Sequence, residues 1–211
     1  MSTLCTRLSI GLLFLSAATH IAAEAPQAAD RLGYSAQAVI SDFVLEGSRG
    51  IIGVNIVAGD SNAQLNARAL AVSIGQGLGA TARIKASQHV GLSGGEVDSA
   101  VSLIEGNAFS NASGLISINH ASGSGNAQLN DITIGFALGG IAVSESELSL
   151  TVTGQPVSQI ATSDAIQHRE VGIGEGAFSG ASGVVQINQL AGSGNVTNNS
   201  FGLSVSLGAE E

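Results

Sequence analysis

Every second residue from Asn126 to Leu138 belongs to one set: Asn126, Gln128, Asn130, Ile132, Ile134, Phe136 and Leu138. Side chains recurring at a period of two lie on one face of an extended chain, so this stretch predicts a β-strand. Its face carries carboxamides at one end and apolar groups at the other. The same face returns as Asn62, Gln64, Asn66, Arg68, Leu70, Val72 and Ile74, and again as Asn195, Thr197, Asn199, Phe201, Leu203, Val205 and Leu207. A shorter alternating run, such as Ile116 and Ile118, and a glycine turn, such as Ser122–Gly125, precede each longer strand. Strand, turn and longer strand read as a hairpin-like or arch-like β unit.

The unit is written three times. GIIGVNIVAGDSNAQLN starts at Gly50, GLISINHASGSGNAQLN at Gly114 and GVVQINQLAGSGNVTNN at Gly183, so the spacings are 114 − 50 = 64 and 183 − 114 = 69. All three fit Gly, four residues, Asn, two residues, Ala or Ser, Gly, two residues, Asn, one residue, Gln or Thr, one residue, Asn. An apolar residue stands five positions before each leading glycine, at Leu45, Phe109 and Phe178. Copies of one supersecondary unit bury their faces against each other. The expected fold is therefore all-β, a repeat β-solenoid or cross-β core built from three imperfect repeats joined by variable linkers. Repeats are placed at 34–75, 97–138 and 171–207, with linkers at 76–96 and 139–170 and a tail at 208–211. The linkers fit outside the repeating core, and their unequal lengths account for the two spacings. SELSLTVTG in the second alternates Leu148, Leu150 and Val152 and predicts an extra strand.

Amides on a buried face need partners, because each unsatisfied group costs about 1 to 3 kcal/mol. An identical amide one strand above and below supplies them, as in an Asn/Gln ladder. The candidate ladder residues are Asn55, Asn62, Gln64 and Asn66 in the first copy, Asn119, Asn126, Gln128 and Asn130 in the second, and Asn188, Asn195, Thr197 and Asn199 in the third. Gly50, Gly59, Gly114, Gly123, Gly183 and Gly192 are the candidate turn glycines. Turn chemistry alone accounts for Asn62, Asn126 and Asn195, since Asn tolerates left-handed angles. It does not account for Asn66, Asn130 and Asn199, which lie deeper in the strands. Within one chain three layers can stack, and between chains the stack could continue.

Composition narrows the function. Aromatics are 3%, Trp is absent and Gly is 29 of 211, so an ordinary aromatic-rich core is not available. Arg7, the apolar run Leu8–Ala18 and the small residues after it predict an export signal over 1–23, cut after Ala23, followed by an Ala-rich lead-in over 24–33. No apolar run is long enough for a membrane span, so no stable membrane insertion is expected. The only cysteine, Cys5, falls within that signal, which leaves a secreted chain without disulfides to gain stability from stacking or assembly. Net charge is −9, or −10 without Arg7, and the remaining basic residues are scattered, which argues against nucleic acid. His89, His120 and His168 occupy different contexts and no nucleophile motif is present, so no enzyme activity and no cofactor are expected. His120 reads as a tolerated strand-end residue. Calcium would need acidic turns in every copy, but Asp60 is matched by Ser124 and Ser193. GQGLG from Gly75 lacks the Lys and the strand-to-helix context of a phosphate loop.

NASGLISINHASGSGNAQLN from Asn111 and GVNIVAGDSNAQLN from Gly53 make the chain resemble the repeats of the Fap functional-amyloid subunits. That resemblance implies a secreted subunit of biofilm amyloid fibres, exported through an outer-membrane pore and co-assembling with itself and a major subunit on the cell surface. The major subunit typically ends in Cys-x-Cys and carries more Gln, whereas this chain ends LSLGAEE. The expectation is therefore the minor or nucleating subunit. The alternative is a monomeric secreted β-solenoid adhesin that binds a surface or glycan.

Overall fold

The computed structural model describes residues 33–76, 78–91, 97–153 and 168–208. The expected signal, the lead-in up to residue 32 and tail residues 209–211 lie outside the described residues. Four strands make a first layer: β1 Ser35–Ile40, β2 Arg49–Ala58, β3 Ala63–Ile74 and β4 Ala80–Gly91. A second layer repeats them as β5 Ser99–Ile104, β6 Ser113–Ser122, β7 Ala127–Leu138 and β8 Ala142–Thr153. The third contains β9 His168–Ile173, β10 Ser182–Ala191 and β11 Val196–Leu207.

Successive strands within a layer do not pair. The sheets run β1-β5-β9, β2-β6-β10, β3-β7-β11 and β4-β8, every pair parallel. The glycine turns therefore make arches, not hairpins: each turn carries the chain from one sheet to the next. Equivalent residues fall in register, so that Asn66 pairs with Asn130 and Asn130 with Asn199.

Both segments between the repeats contribute a strand, β4 and β8, and the one expected around Leu148, Leu150 and Val152 lies within β8. Their register is shorter, Ala80 with Ala142, or 142 − 80 = 62. The interval after β3 spans 75–79, five residues, and that after β7 spans 139–141, three. The intervals 92–98 and 154–167 hold seven and fourteen residues, and (14 − 7) − (5 − 3) = 5 reproduces 69 − 64.

β7 is covered on both faces. Its Gln128 and Asn130 meet the backbone of β6, while Leu129 packs with Ile84 and Ala86 of β4 and with Leu148 and Leu150 of β8. Another core joins Ile40, Ile104, Phe109, Ile116 and Ile118 between the first two sheets. Phe109 stacks on Phe178, ring centroids 5.0 Å apart and planes 2° from parallel, because in-register layers impose face-to-face contact. Leu45, Phe109 and Phe178 share φ of 56°, 59° and 60°, a left-handed conformation costly for bulky residues and retained in all three layers. Toward the far end of the third sheet the apolar face emerges: Leu70, Val72, Ile74, Leu138, Leu203 and Leu207 are exposed.

Candidate functional site

Each arch closes on a pair of asparagines. Asn66 Nδ2 donates to Val54 O at 3.0 Å and Asn55 Oδ1 at 2.8 Å. Asn130 does the same to Ile118 O and Asn119 Oδ1, both at 3.0 Å, and Asn199 to Ile187 O at 3.1 Å and Asn188 Oδ1 at 3.0 Å. These pairs also bond between layers. Asn119 Nδ2 reaches Asn55 Oδ1, Asn66 Oδ1 and Leu65 O at 3.0, 3.1 and 2.9 Å. Asn188 Nδ2 repeats this one layer on, to Asn119 Oδ1, Asn130 Oδ1 and Leu129 O at 3.0, 3.1 and 3.0 Å. Asn130 donates to Asn66 Oδ1 and Asn199 to Asn130 Oδ1, each at 3.0 Å. The donor always sits on the later layer and the acceptor on the earlier one, so this grid has a direction. Burial of Asn119 and Asn130 is complete, yet their amides are partnered.

Two further rungs flank the grid. Asn126 donates from both N and Nδ2 to Asn62 Oδ1 at 2.9 Å, and Asn195 likewise to Asn126 Oδ1 at 3.0 and 2.9 Å. None of the three has positive φ, so left-handed turn chemistry does not explain them; Asn62 and Asn126 each accept the backbone N–H of the layer that follows. The glutamine rung runs the other way: Gln64 Nε2 donates to Gln128 Oε1 at 2.5 Å, and Gln128 Nε2 to Asn188 O at 3.1 Å. It ends at Thr197, whose Oγ1 is buried without a hydrogen-bond partner among the described residues.

The glycines let the layers approach. A Cβ on Gly59, Gly114, Gly123 or Gly183 would lie 2.1, 2.0, 1.9 or 2.2 Å from a carbonyl oxygen of the adjacent layer. Gly50 and Gly192 share their positive φ, at 106° and 132°, but meet no neighbouring backbone.

Residues that depart from the repeat complete the arch interior. Arg68 Nη2 donates to Ile52 O at 2.7 Å and its guanidinium lies over Gly53, where a Cβ would come within 2.9 Å of it. Arg68 Nε is buried without a partner, and burial lowers the proton affinity of the group. At the same level of layer 3, Gln186 Nε2 donates to Asp131 O at 3.0 Å and Ser117 Oγ donates to Gln186 Oε1 at 3.2 Å. Asp131 accepts from Ser200 Oγ at 3.1 Å and from Ser146 Oγ. Arg68, Asp131 and Gln186 stand at positions where the three copies differ, and that disagreement is the signal in the sequence that marks them. Among the described residues no three His, Cys, Asp or Glu side chains converge on a metal position. His89, His120 and His168 lie on β4, β6 and β9.

The arrangement offers adhesion between layers, with unpaired strand edges and half-used amides at each open face. No solved structure matches the chain. Residues 16–206 match the family described as "Functional amyloid protein FapB/FapC family", a match running through the segments of β4 and β8 as well as the three copies. The chain thus belongs to the functional amyloid protein FapB/FapC family, a family of biofilm amyloid subunits.

Proposed function

We propose that this chain is a minor or nucleating subunit that polymerises by stacking its amide-bearing layers onto fibres shared with a major subunit. It leaves the cell through its signal and an outer-membrane pore and ends in a surface fibre. One observation carries the stacking: three layers already repeat in parallel register within a single chain, and among the described residues the strand edges of the first and third have no neighbour. Addition of another chain pairs those edges and extends the amide rungs. Thr197, standing where the other two copies carry Gln64 and Gln128, supports the minor role.

The purified chain, incubated unseeded, is expected to bind amyloid dyes and give a reflection near 4.7 Å in fibre diffraction. A chain that stays monomeric with no such reflection removes the stacking reading. Fragments of these fibres, added in small molar amount to the major subunit, are expected to shorten its lag phase. An unchanged lag would remove the nucleating role while leaving the stacking intact.

A further inference from the structure

We propose that the polymer is a strict head-to-tail stack of whole chains, in which layer 3 of one copy receives layer 1 of a second copy through a junction written in the residues that break the repeat. This rests on the reading that the chain polymerises by layer stacking, and it names the partner face. The layer 1 side consists of Asn55, Gln64 and Arg68; the layer 3 side consists of Gln186, Asn188, Thr197 and Phe201.

Direction comes from the asparagine grid. Asn119 and Asn188 each donate to the layer before their own, but Asn55 Nδ2, at the start of the series, donates to no described residue. By register, its equivalent targets are Asn188 Oδ1, Asn199 Oδ1 and Asn198 O of layer 3. Layer 1 against layer 1 would leave Asn55 Nδ2 without these oxygens.

Specificity comes from the exceptions. Thr197 Oγ1 is a buried hydroxyl without a partner, and Gln64 Oε1 on the opposite face accepts no bond among the described residues. Turned about χ1 to the open face, the hydroxyl donates to that oxygen one layer away, at about 4.8 Å. At the neighbouring rung the facing pairs are Gly53 with Arg68, Ser117 with Ile132 and Gln186 with Phe201. Stacking layer 1 on layer 3 lays the Arg68 guanidinium over the Phe201 ring and beside Gln186 Oε1, a cation–π contact with a carboxamide oxygen next to it. Two copies meeting through layer 1 would instead bring two guanidinium groups together.

The glycines agree. The Cβ positions of Gly114 and Gly183 crowd the preceding layer, and those of Gly59 and Gly123 crowd the following one. Gly50 and Gly192 find no such contact within the chain, and each meets it across the junction: Gly50 against Gly183 of the preceding copy, Gly192 against Gly59 of the following one. One rung opposes the contact, Asp42 against Glu175; both are at least partly exposed, so water and salt weaken the repulsion.

The test uses the full chain with Cys5→Ser and two single variants, Arg49→Cys and Ser182→Cys. Positions 49 and 182 both register with Ser113, so in one chain they stand two layers apart, beyond disulfide reach, but across the junction they are one layer apart. Mixed fibres of the two variants, oxidised after assembly, are expected to give disulfide-linked dimers joining position 49 of one copy to position 182 of the next, and fibres of either variant alone none. A second arm reads seeded elongation: Arg68→Ile, which copies the residue of the middle layer, is expected to slow it about tenfold, a factor equivalent to about 1.4 kcal/mol. Dimers in single-variant fibres, or elongation of Arg68→Ile at the unmodified rate, would overturn the junction while fibres still form. Absence of fibres from the unmodified chain would remove the stacking reading and this junction with it.

Discussion

His120 shows how much a single position depends on its layer. The rung reads Ile56, His120, Gln189, and the imidazole is fully buried in the middle, with Nδ1 3.0 Å from Ser102 Oγ and Nε2 without a partner. Burial pushes its pKa down to about 4, against 6.5 for the free side chain. The unfolded chain therefore takes up a proton at a pH where the folded chain does not. Stability from this source is complete above about pH 6.5 and is lost as pH falls toward 4, to a total of about 3 kcal/mol at about 1.4 kcal/mol per unit. Unfolding of the soluble chain at pH 4.5 and 7.5 is expected to show the loss, and His120→Gln, the residue of the third copy, to remove most of it. Equal pH dependence in both proteins would mean that the imidazole titrates normally. Sequence reading placed His120 at a tolerated strand end. Nothing local marks it as enclosed, because the enclosure comes from layers 64 and 69 residues away. The parity of Asn126, Gln128 and Asn130 was legible for the opposite reason: a period of two fixes the face whatever covers it.

At the scale of the strand, agreement between copies was both the strength and the limit of the sequence. β2, β3 and their counterparts share one spaced pattern across all three copies. β4 and β8, ATARIKASQHVG and AVSESELSLTVT, share only alternation, so they read as linker. Opposite charge is what they have instead of identity. Arg83 meets Glu145 at 2.7 Å and Lys85 meets Glu147 at 3.1 Å, all four side chains at least half exposed. Exposed pairs contribute about 1 kcal/mol or less, so they add little stability. They do fix register, since parallel stacking sets equivalent residues side by side and a slip of one residue would separate both pairs. Glu145→Lys with Glu147→Lys would place like charges on two rungs of the same sheet. That double variant is expected to lower the melting temperature in low salt and to recover much of it in 0.5 M salt, while Glu145→Gln with Glu147→Gln changes little. Equal loss in both pairs of variants would show that the contacts act by attraction and not by excluding like charge.

Among the described residues, no pair of like charges occupies neighbouring layers of any paired strand. Arg49, Arg68 and Asp131 each stand on a rung without another charge, and the only charged partners are of opposite sign. The net charge, −9 for the full chain and −10 without Arg7, is thus kept off adjacent rungs of the paired strands yet remains on every chain. Stacked head to tail, each copy advances three layers, about 14 Å at 4.8 Å per layer. In 0.01 M salt the screening length is about 30 Å, so an arriving chain feels roughly the last two copies of the fibre; in 0.15 M salt it is about 8 Å, less than one copy. The contacts that close the junction are amide, hydroxyl and cation–π in kind and partly enclosed, so salt weakens them little while it removes the long-range repulsion. Seeded elongation at pH 7 is accordingly expected to accelerate about tenfold between 0.01 and 0.15 M sodium chloride and to flatten above that, measured as the initial slope of dye fluorescence at fixed seed. A rate that falls with salt would mean that ion pairs between copies dominate, which the isolation of Arg68 from any carboxylate does not allow.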